Sequence, residues 1–158
     1  MPVNLKYCLE TLALLAQAEL AVGRLYGLCA QRWPQYADFW EKLAHREQQH
    51  SQYAQMLATL VETKPDEFRQ GRNFTPAAIN TFIGWVENAS ARVAKGELDS
   101  RKAFFAALDI ERSVIKRNFF QIVETDNKEL AGFIKKVAAE TLEHSRLINT
   151  ELQRHTAE

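Results

Sequence analysis

The sequence predicts an all-α protein, an antiparallel four-helix bundle with one long crossover connection that contains an additional helix. Three observations predict it. Apolar residues recur every three or four positions through most of the chain, the four prolines stand at positions 2, 34, 65 and 76, and no segment alternates β-branched residues between turn signals. The 158 residues fit a single domain, 1–158, with one sizeable core.

Capping signals and helix breakers set the bounds of the predicted helices. Asn4 and Thr75 suit N-caps, Pro76 suits a first helical turn, and Gly96 suits the end of a helix. The helices are expected over about residues 5–32, 35–63, 76–95, 100–123 and 128–153. Residues 64–73 are expected to form a loop, and no strand is predicted.

The lengths of the connections predict how the helices are joined. Short connections after the first long helix and before the last one predict two antiparallel hairpins. The stretch 64–101 is long enough to carry the chain back along the bundle between them. A plain up-down bundle with an extra packed helix is the alternative arrangement.

Charge and cysteine usage narrow the class of protein. Twenty lysines and arginines balance 20 aspartates and glutamates without a long run of one sign, which argues against a nucleic-acid binder. Cys8 and Cys29 lie on one predicted helix, about 30 Å apart, and cannot pair, so a reduced, cytoplasmic protein is expected. Lys6 and Glu10 interrupt the first apolar stretch, and the charge-free run 73–86 is too short to span a bilayer. We therefore expect no membrane partner.

On four predicted helices, the apolar inner face contains residues of types that can bind metals. These residues are Glu19, Glu47 with His50, Glu111, and His144. One buried glutamate has an ordinary explanation, such as an arginine partner or a position at the rim. Several at matching depth indicate metal cations, because burying unpaired carboxylates together is costly.

The spacing of these residues fits the same chemistry. Glu47 and His50 form a Glu-x-x-His pair, whose side chains point the same way from a helix. Di-iron and di-manganese bundles combine such pairs with single glutamates from two other helices. Glu19 precedes His50 at nearly the separation at which Glu111 precedes His144, so the two hairpins look like halves of one pseudo-symmetric site.

The sequence resembles the rubrerythrin and bacterioferritin branch of the ferritin-like superfamily over nearly its whole length, without a rubredoxin domain. The segments AELA (18–21), EQQH (47–50), LDIE (108–111) and ETLEH (140–144), together with Tyr26, carry the resemblance. It implies a ferritin-like bundle with Glu19 and Glu111 as single-helix carboxylates and with further ligands at Glu47, His50 and His144. Tyr26 would hydrogen-bond near the metals. A core aromatic with its hydroxyl group at the rim is the alternative for Tyr26.

The resemblance departs from the family pattern at two ligand positions. Thr141 stands where the fourth helix would carry a glutamate, and Val114 stands one turn after Glu111, where rubrerythrins place another. Glu140 lies four residues before His144, about 40° away around the helix. We therefore predict that Glu140 replaces the missing carboxylate ligand, with an interhelical salt bridge as the alternative.

These observations predict a non-haem di-iron oxidoreductase that reacts with dioxygen or hydrogen peroxide. Two iron ions per chain are expected, with manganese or zinc as substitutes, in ferroxidase or peroxidase-type chemistry. The resemblance further implies a homodimer and a separate electron donor. The alternative is a ferritin-like bundle with a degenerate site that serves as a metal-binding or metal-free interaction scaffold.

Overall fold

The computed structural model describes residues 2–156 and is mostly helical, which confirms the all-α prediction. Its helices and strands are α1 (Leu5–Arg32), α2 (Ala37–Thr63), β1 (Phe68–Gln70), α3 (Pro76–Ala94), α4 (Ser100–Arg112), α5 (Val114–Asn118), β2 (Val123–Thr125) and α6 (Lys128–Thr156). Short 3₁₀ turns cover Pro34–Tyr36, Pro65–Glu67 and Phe119–Ile122. α1 packs against α2 and α3, and α4 packs against α6.

The predicted caps begin and end the helices as expected. Asn4 accepts a hydrogen bond from the amide of Tyr7 at 3.1 Å, and Thr75 accepts one from the amide of Ala78 at 3.1 Å. Each bond satisfies an amide that the first helical turn leaves without a partner. Gly96 follows α3 with a φ of 73°, a left-handed conformation that glycine adopts without steric cost.

The predicted helix over residues 100–123 is wrong, because α4 ends at Arg112. Ser113 adopts an extended conformation with a ψ of 151°. Its hydroxyl group donates to the carbonyl oxygen of Ile110 at 2.7 Å and accepts from the amide of Lys116 at 3.2 Å. Serine side chains compete with helical backbone bonds in this way, so Ser113 becomes the N-cap of a new short helix, α5.

The prediction that the chain forms no strand is also wrong. β1 pairs with β2 in an antiparallel register that sets Arg69 opposite Glu124. Gly71 continues the pairing with a 2.9 Å hydrogen bond from its amide to the carbonyl oxygen of Ile122. The expected loop 64–73 is therefore attached to the chain segment that follows α5.

The interior combines an aromatic cluster with a polar one. The ring centroid of Trp40 lies 5.4 Å from that of Tyr26 and 4.6 Å from that of Phe104. These rings are fully buried. Aromatic pairs at this distance contribute more to stability than their buried area alone would give. Next to them lie the buried charged and imidazole side chains of Glu19, Glu47, His50, Glu111, Lys116 and His144.

Among the described residues, α1 is long and apolar enough to cross a membrane, with a mean hydropathy of 1.3 over its best 18-residue window. The core helix of a soluble protein and an N-terminal signal sequence pass the same test, and 56% of this window is buried. Cys8 and Cys29, both on α1, are buried free thiols, in agreement with the prediction that they do not pair. Cytoplasmic localisation stays a prediction.

Candidate metal centre

Four helices bring five of the predicted site residues together. Glu19 comes from α1, Glu47 and His50 from α2, Glu111 from α4 and His144 from α6, and all are buried. Nδ1 of His144 lies 2.9 Å from Oε1 of Glu47. Nδ1 of His50 lies 3.6 Å from Oε2 of Glu47 and 3.8 Å from Oε2 of Glu19.

Close approach of α1 and α2 sets the geometry of the first half of the site. Gly23 lies one turn after Glu19, and a Cβ atom at this position would stand 3.4 Å from Cβ of Glu47. Because 3.4 Å is the short end of ordinary van der Waals contact, α1 and α2 leave little spare room at the level of the carboxylates. Glu19 and Glu47 therefore face each other across a narrow interface.

Lys116 completes the cluster, and the sequence reasoning missed it. Its Nζ lies 2.6 Å from Oε2 of Glu47, 2.7 Å from Oε2 of Glu19 and 3.7 Å from Oε2 of Glu111. On an unbroken helix, a residue five positions after Glu111 would point about 140° away from it. The break at Ser113 turns Lys116 inward instead. The N-cap preference of serine was the available signal, and it is weak because serine also occurs inside helices.

The cluster contains three carboxyl groups and one ammonium group. Burial raises the pKa of Glu111 to about 8 and that of Glu19 well above its ordinary value, although the charge of Lys116 opposes both shifts. Burial also acts to raise the pKa of Glu47, but Lys116 and hydrogen bonds with its neighbours outweigh burial and lower it. The arrangement favours an ionised Glu47 beside a charged Lys116, with protons on Glu19 and Glu111.

Tyr26 contacts the cluster directly. Its hydroxyl group donates a 2.6 Å hydrogen bond to Oε1 of Glu111, and its ring is buried. Burial and the neighbouring carboxylates raise the pKa of Tyr26 well above its ordinary value, so the hydroxyl group keeps its proton. The structure therefore places this hydroxyl group in the site and not at the rim.

Glu140 contacts the site from outside. Its Oε2 lies 2.9 Å from Nε2 of His50, while the other ring nitrogen of His50 faces Glu47. The side chain of Glu140 is 31% exposed, in contrast to the fully buried carboxylates. Glu140 on α6 therefore pairs with His50 on α2, as the alternative of an interhelical salt bridge describes. Direct metal ligation by Glu140 stays a prediction.

The two positions that depart from the family pattern supply no carboxylate. Thr141 is buried, and its hydroxyl group faces the carbonyl oxygen of Val137 at 3.5 Å. Val114 is 59% exposed, because the break at Ser113 turns it away from the interior. The donor set is therefore smaller than the family pattern implies.

The described residues contain one group with the geometry of a metal site. Glu47, His50 and His144 each offer a ligand atom, and these atoms lie within 4.8 Å of one another. Nδ1 of His50 and Nε2 of His144 are buried and have no hydrogen-bond partner within residues 2–156. Buried ring nitrogens without partners are unusual in folded proteins, and a cation held by this group would satisfy Nδ1 of His50, which faces Glu47. One ion fits this group.

A pair of ions does not fit the side chains as they stand. A second ion would need carboxylate oxygens of Glu19 and Glu47, and Nζ of Lys116 is already in contact with both. Two cations in contact would repel each other strongly in a buried site. The number of two iron ions per chain is therefore not supported by this geometry.

A cavity of about 170 Å³ adjoins the centre on the side of Glu111. Arg112, Arg117, Leu142 and Ser145 complete its lining. It is large enough for a few water-sized molecules. Small molecules can therefore come close to the buried cluster beside the break between α4 and α5.

Comparisons with protein-family models, with curated proteins and with solved structures found no match to the chain. The resemblance to rubrerythrins and bacterioferritins therefore rests on the motifs of the sequence.

Proposed function

We propose that this chain is a metal-binding protein of the ferritin-like type that holds one transition-metal ion at Glu47, His50 and His144. The observation that carries the proposal is the buried group of one carboxylate and two imidazoles, with ligand atoms within 4.8 Å of one another. Nδ1 of His50 faces Glu47 in this group and has no hydrogen-bond partner among residues 2–156. Such a group is costly to bury without a cation to bind.

The arrangement of the helices supports the ferritin-like part of the proposal. α1 and α2 form one hairpin, α4 packs against α6, and α3 lies in the connection between them. A four-helix bundle with one long crossover would have this order of helices, which supports the proposal. α5 and the pairing of β1 with β2 are additions to that scheme.

The donor set favours iron, with zinc and manganese as substitutes. Two histidines and one carboxylate with open positions are typical of non-haem ferrous sites, and the same donors also bind zinc. A bound ferrous ion would supply one-electron chemistry toward dioxygen or hydrogen peroxide. Reaction with either oxidant, a separate electron donor and a homodimer remain predictions of the family resemblance.

Hydrogen bonds from neighbouring side chains orient groups of the site. Glu140 can accept the proton on Nε2 of His50 in a hydrogen bond, which leaves the lone pair on Nδ1 facing Glu47. Tyr26 holds a proton against Glu111 on the other side of the cluster. These contacts fix the orientation of an imidazole and of a carboxyl group before any ion binds.

A metal-free scaffold is the second candidate, and Lys116 is the observation that favours it. The ammonium group neutralises buried carboxylates without an ion. A chain that binds no ion and keeps its full stability would serve as an interaction module.

Metal titration of chelator-treated protein tests the proposal. Ferrous iron under anaerobic conditions, zinc and manganese are each titrated by calorimetry, and bound metal is counted by elemental analysis. We expect one ion per chain, lost in His144→Ala and in Glu47→Gln. His45→Ala is the matched control, because His45 is exposed on α2. Absence of micromolar binding for all three ions would reject the proposal in favour of the scaffold. Oxygen consumption by the iron-loaded protein then tests for redox activity.

A further inference from the structure

We infer that Lys116 is a built-in cation that takes the place of a second metal ion, so that the centre binds a single ion beside it. The inference rests on the proposed function, since it assumes an ion at Glu47, His50 and His144. It adds the roles of Lys116, Glu19 and Glu111.

The contacts of Lys116 are those of a bridging cation. Its Nζ lies within 2.6–3.7 Å of carboxylate oxygens from Glu19, Glu47 and Glu111, which come from three different helices. The ammonium group donates hydrogen bonds to Glu19 and Glu47, and Oε2 of Glu111 lies beside it at ion-pair distance. A metal ion shared by the same carboxylates would occupy the same space.

One change in the backbone accounts both for the lost ligand and for the gained lysine. The break at Ser113 turns position 114 to solvent, where Val114 stands. The same break turns position 116 inward, where Lys116 is fully buried against Phe119. A carboxylate ligand at position 114 and a buried lysine at position 116 therefore exclude each other in this conformation.

The two oxygens of Glu47 have different nearest partners. Its Oε2 contacts Lys116 at 2.6 Å, and its Oε1 contacts Nδ1 of His144 at 2.9 Å. Oε2 of Glu19 lies 2.7 Å from Nζ of Lys116 but 3.8 Å from Nδ1 of His50, so its closer partner is the lysine. We therefore expect Glu19 to bind Lys116 and to contribute little to binding of the single ion.

Metal stoichiometry of two lysine variants tests the inference. Lys116→Met keeps the length of the side chain and removes its charge, which leaves Glu19, Glu47 and Glu111 free to bind a second ion. We expect one zinc ion per chain in the parent and two in Lys116→Met. Lys102→Met, at an exposed lysine on α4, is the control and should stay at one.

The outcomes separate this inference from the proposed function. Two ions in the parent, or one ion in a folded Lys116→Met, would overturn the role of Lys116 while the metal-binding function stands. If the parent binds no ion but Lys116→Met does, the proposed function is wrong and the role of Lys116 as an internal cation stands. No ion in either protein would overturn both.

Glu19→Gln provides a test that leaves Lys116 in place. If Glu19 serves the lysine, the variant should bind one zinc ion with an affinity close to that of the parent. Glu47→Gln should weaken binding by more than the roughly 10–100-fold that loss of a contact to a ligand costs, because it removes the charge of a ligand itself. An equal loss in Glu19→Gln and Glu47→Gln would show that both residues are ligands and would overturn the inference.

Discussion

The hydroxyl group of Tyr26 donates a 2.6 Å hydrogen bond to Oε1 of Glu111, and both side chains are buried. The bond joins α1 to α4 across the interior. Oε2 of Glu111 has no hydrogen-bond partner within residues 2–156, so Tyr26 is the main donor to this carboxyl group.

Tyr26→Phe should therefore destabilise the fold. Removing the hydroxyl group leaves a buried carboxyl oxygen without its donor, which costs about 1–3 kcal/mol. Urea denaturation measures the free energy of unfolding. Tyr53→Phe is the matched control, because Tyr53 is half-buried and its hydroxyl group makes no hydrogen bond within residues 2–156. Equal effects of the two substitutions would contradict the prediction.

The metal-free protein should lose stability as the pH rises from about 6.5 to about 8. Burial raises the pKa of Glu111 to about 8, whereas the unfolded chain titrates near the ordinary value of 4.5. The folded protein then keeps a proton that the unfolded chain has lost, so the free energy of unfolding falls by roughly 1–2 kcal/mol over this interval. Burial also lowers the pKa of His144. Below pH 6.5 this shift makes the free energy of unfolding rise with pH, which is opposite to the effect of Glu111.

Glu111→Gln checks this pH dependence, because glutamine still accepts the hydrogen bond from Tyr26 but does not titrate. Urea denaturation with a chelator present, at both ends of the interval, should show a smaller loss in the variant than in the parent. The variant should keep part of the pH dependence of its free energy of unfolding, because the pKa of Glu19 is also raised. Identical slopes would show that Glu111 does not carry the effect.

Glu140→Ala should weaken metal binding without abolishing it. The contact between Glu140 and Nε2 of His50 orients the imidazole, and loss of such a contact lowers affinity about 10–100-fold. Glu140→Gln should bind almost as well as the parent, because glutamine can still accept the hydrogen bond. Glu143→Ala, at an exposed position on the same helix, is the control. Complete loss of binding in both Glu140 variants would instead make Glu140 a ligand.

Gly71→Ala should destabilise the protein by about 1–3 kcal/mol. A Cβ atom at this position would stand 2.2 Å from the carbonyl oxygen of Gln121, so the pairing beside β1 and β2 must shift. Gly84→Ala, within α3, meets no atom within 4 Å and should stabilise the helix by about 0.5–1 kcal/mol. Melting temperatures of the two variants should therefore move in opposite directions.

Features fixed by nearby residues were predictable from the sequence. The caps at Asn4 and Thr75 depend on hydrogen bonds that span three residues. The inward direction of Glu19, Glu47 and His50 follows from helical periodicity alone, since their neighbours on the same face are apolar. These predictions needed no knowledge of how the helices pack, which explains why they agree with the structure.

Features fixed by tertiary contacts were not predictable in this way. Ser113 can continue a helix or cap a new one, and the buried contacts of Lys116 accompany the second outcome. The pairing of β1 with β2 joins three-residue segments that are far apart in the sequence and show no strand periodicity. A serine and two short segments therefore account for the main differences.

The contacts of Lys116 also bear on how the two helical hairpins find their register during folding. α1 and α2 can bring Glu19 and Glu47 together on their own, and the ammonium group arrives only with the second half of the chain. Sliding or rotating that half would leave both the lysine and the carboxylates buried without partners, at a cost of several kcal/mol. The buried charges thus disfavour misaligned assemblies that an entirely apolar interface would tolerate.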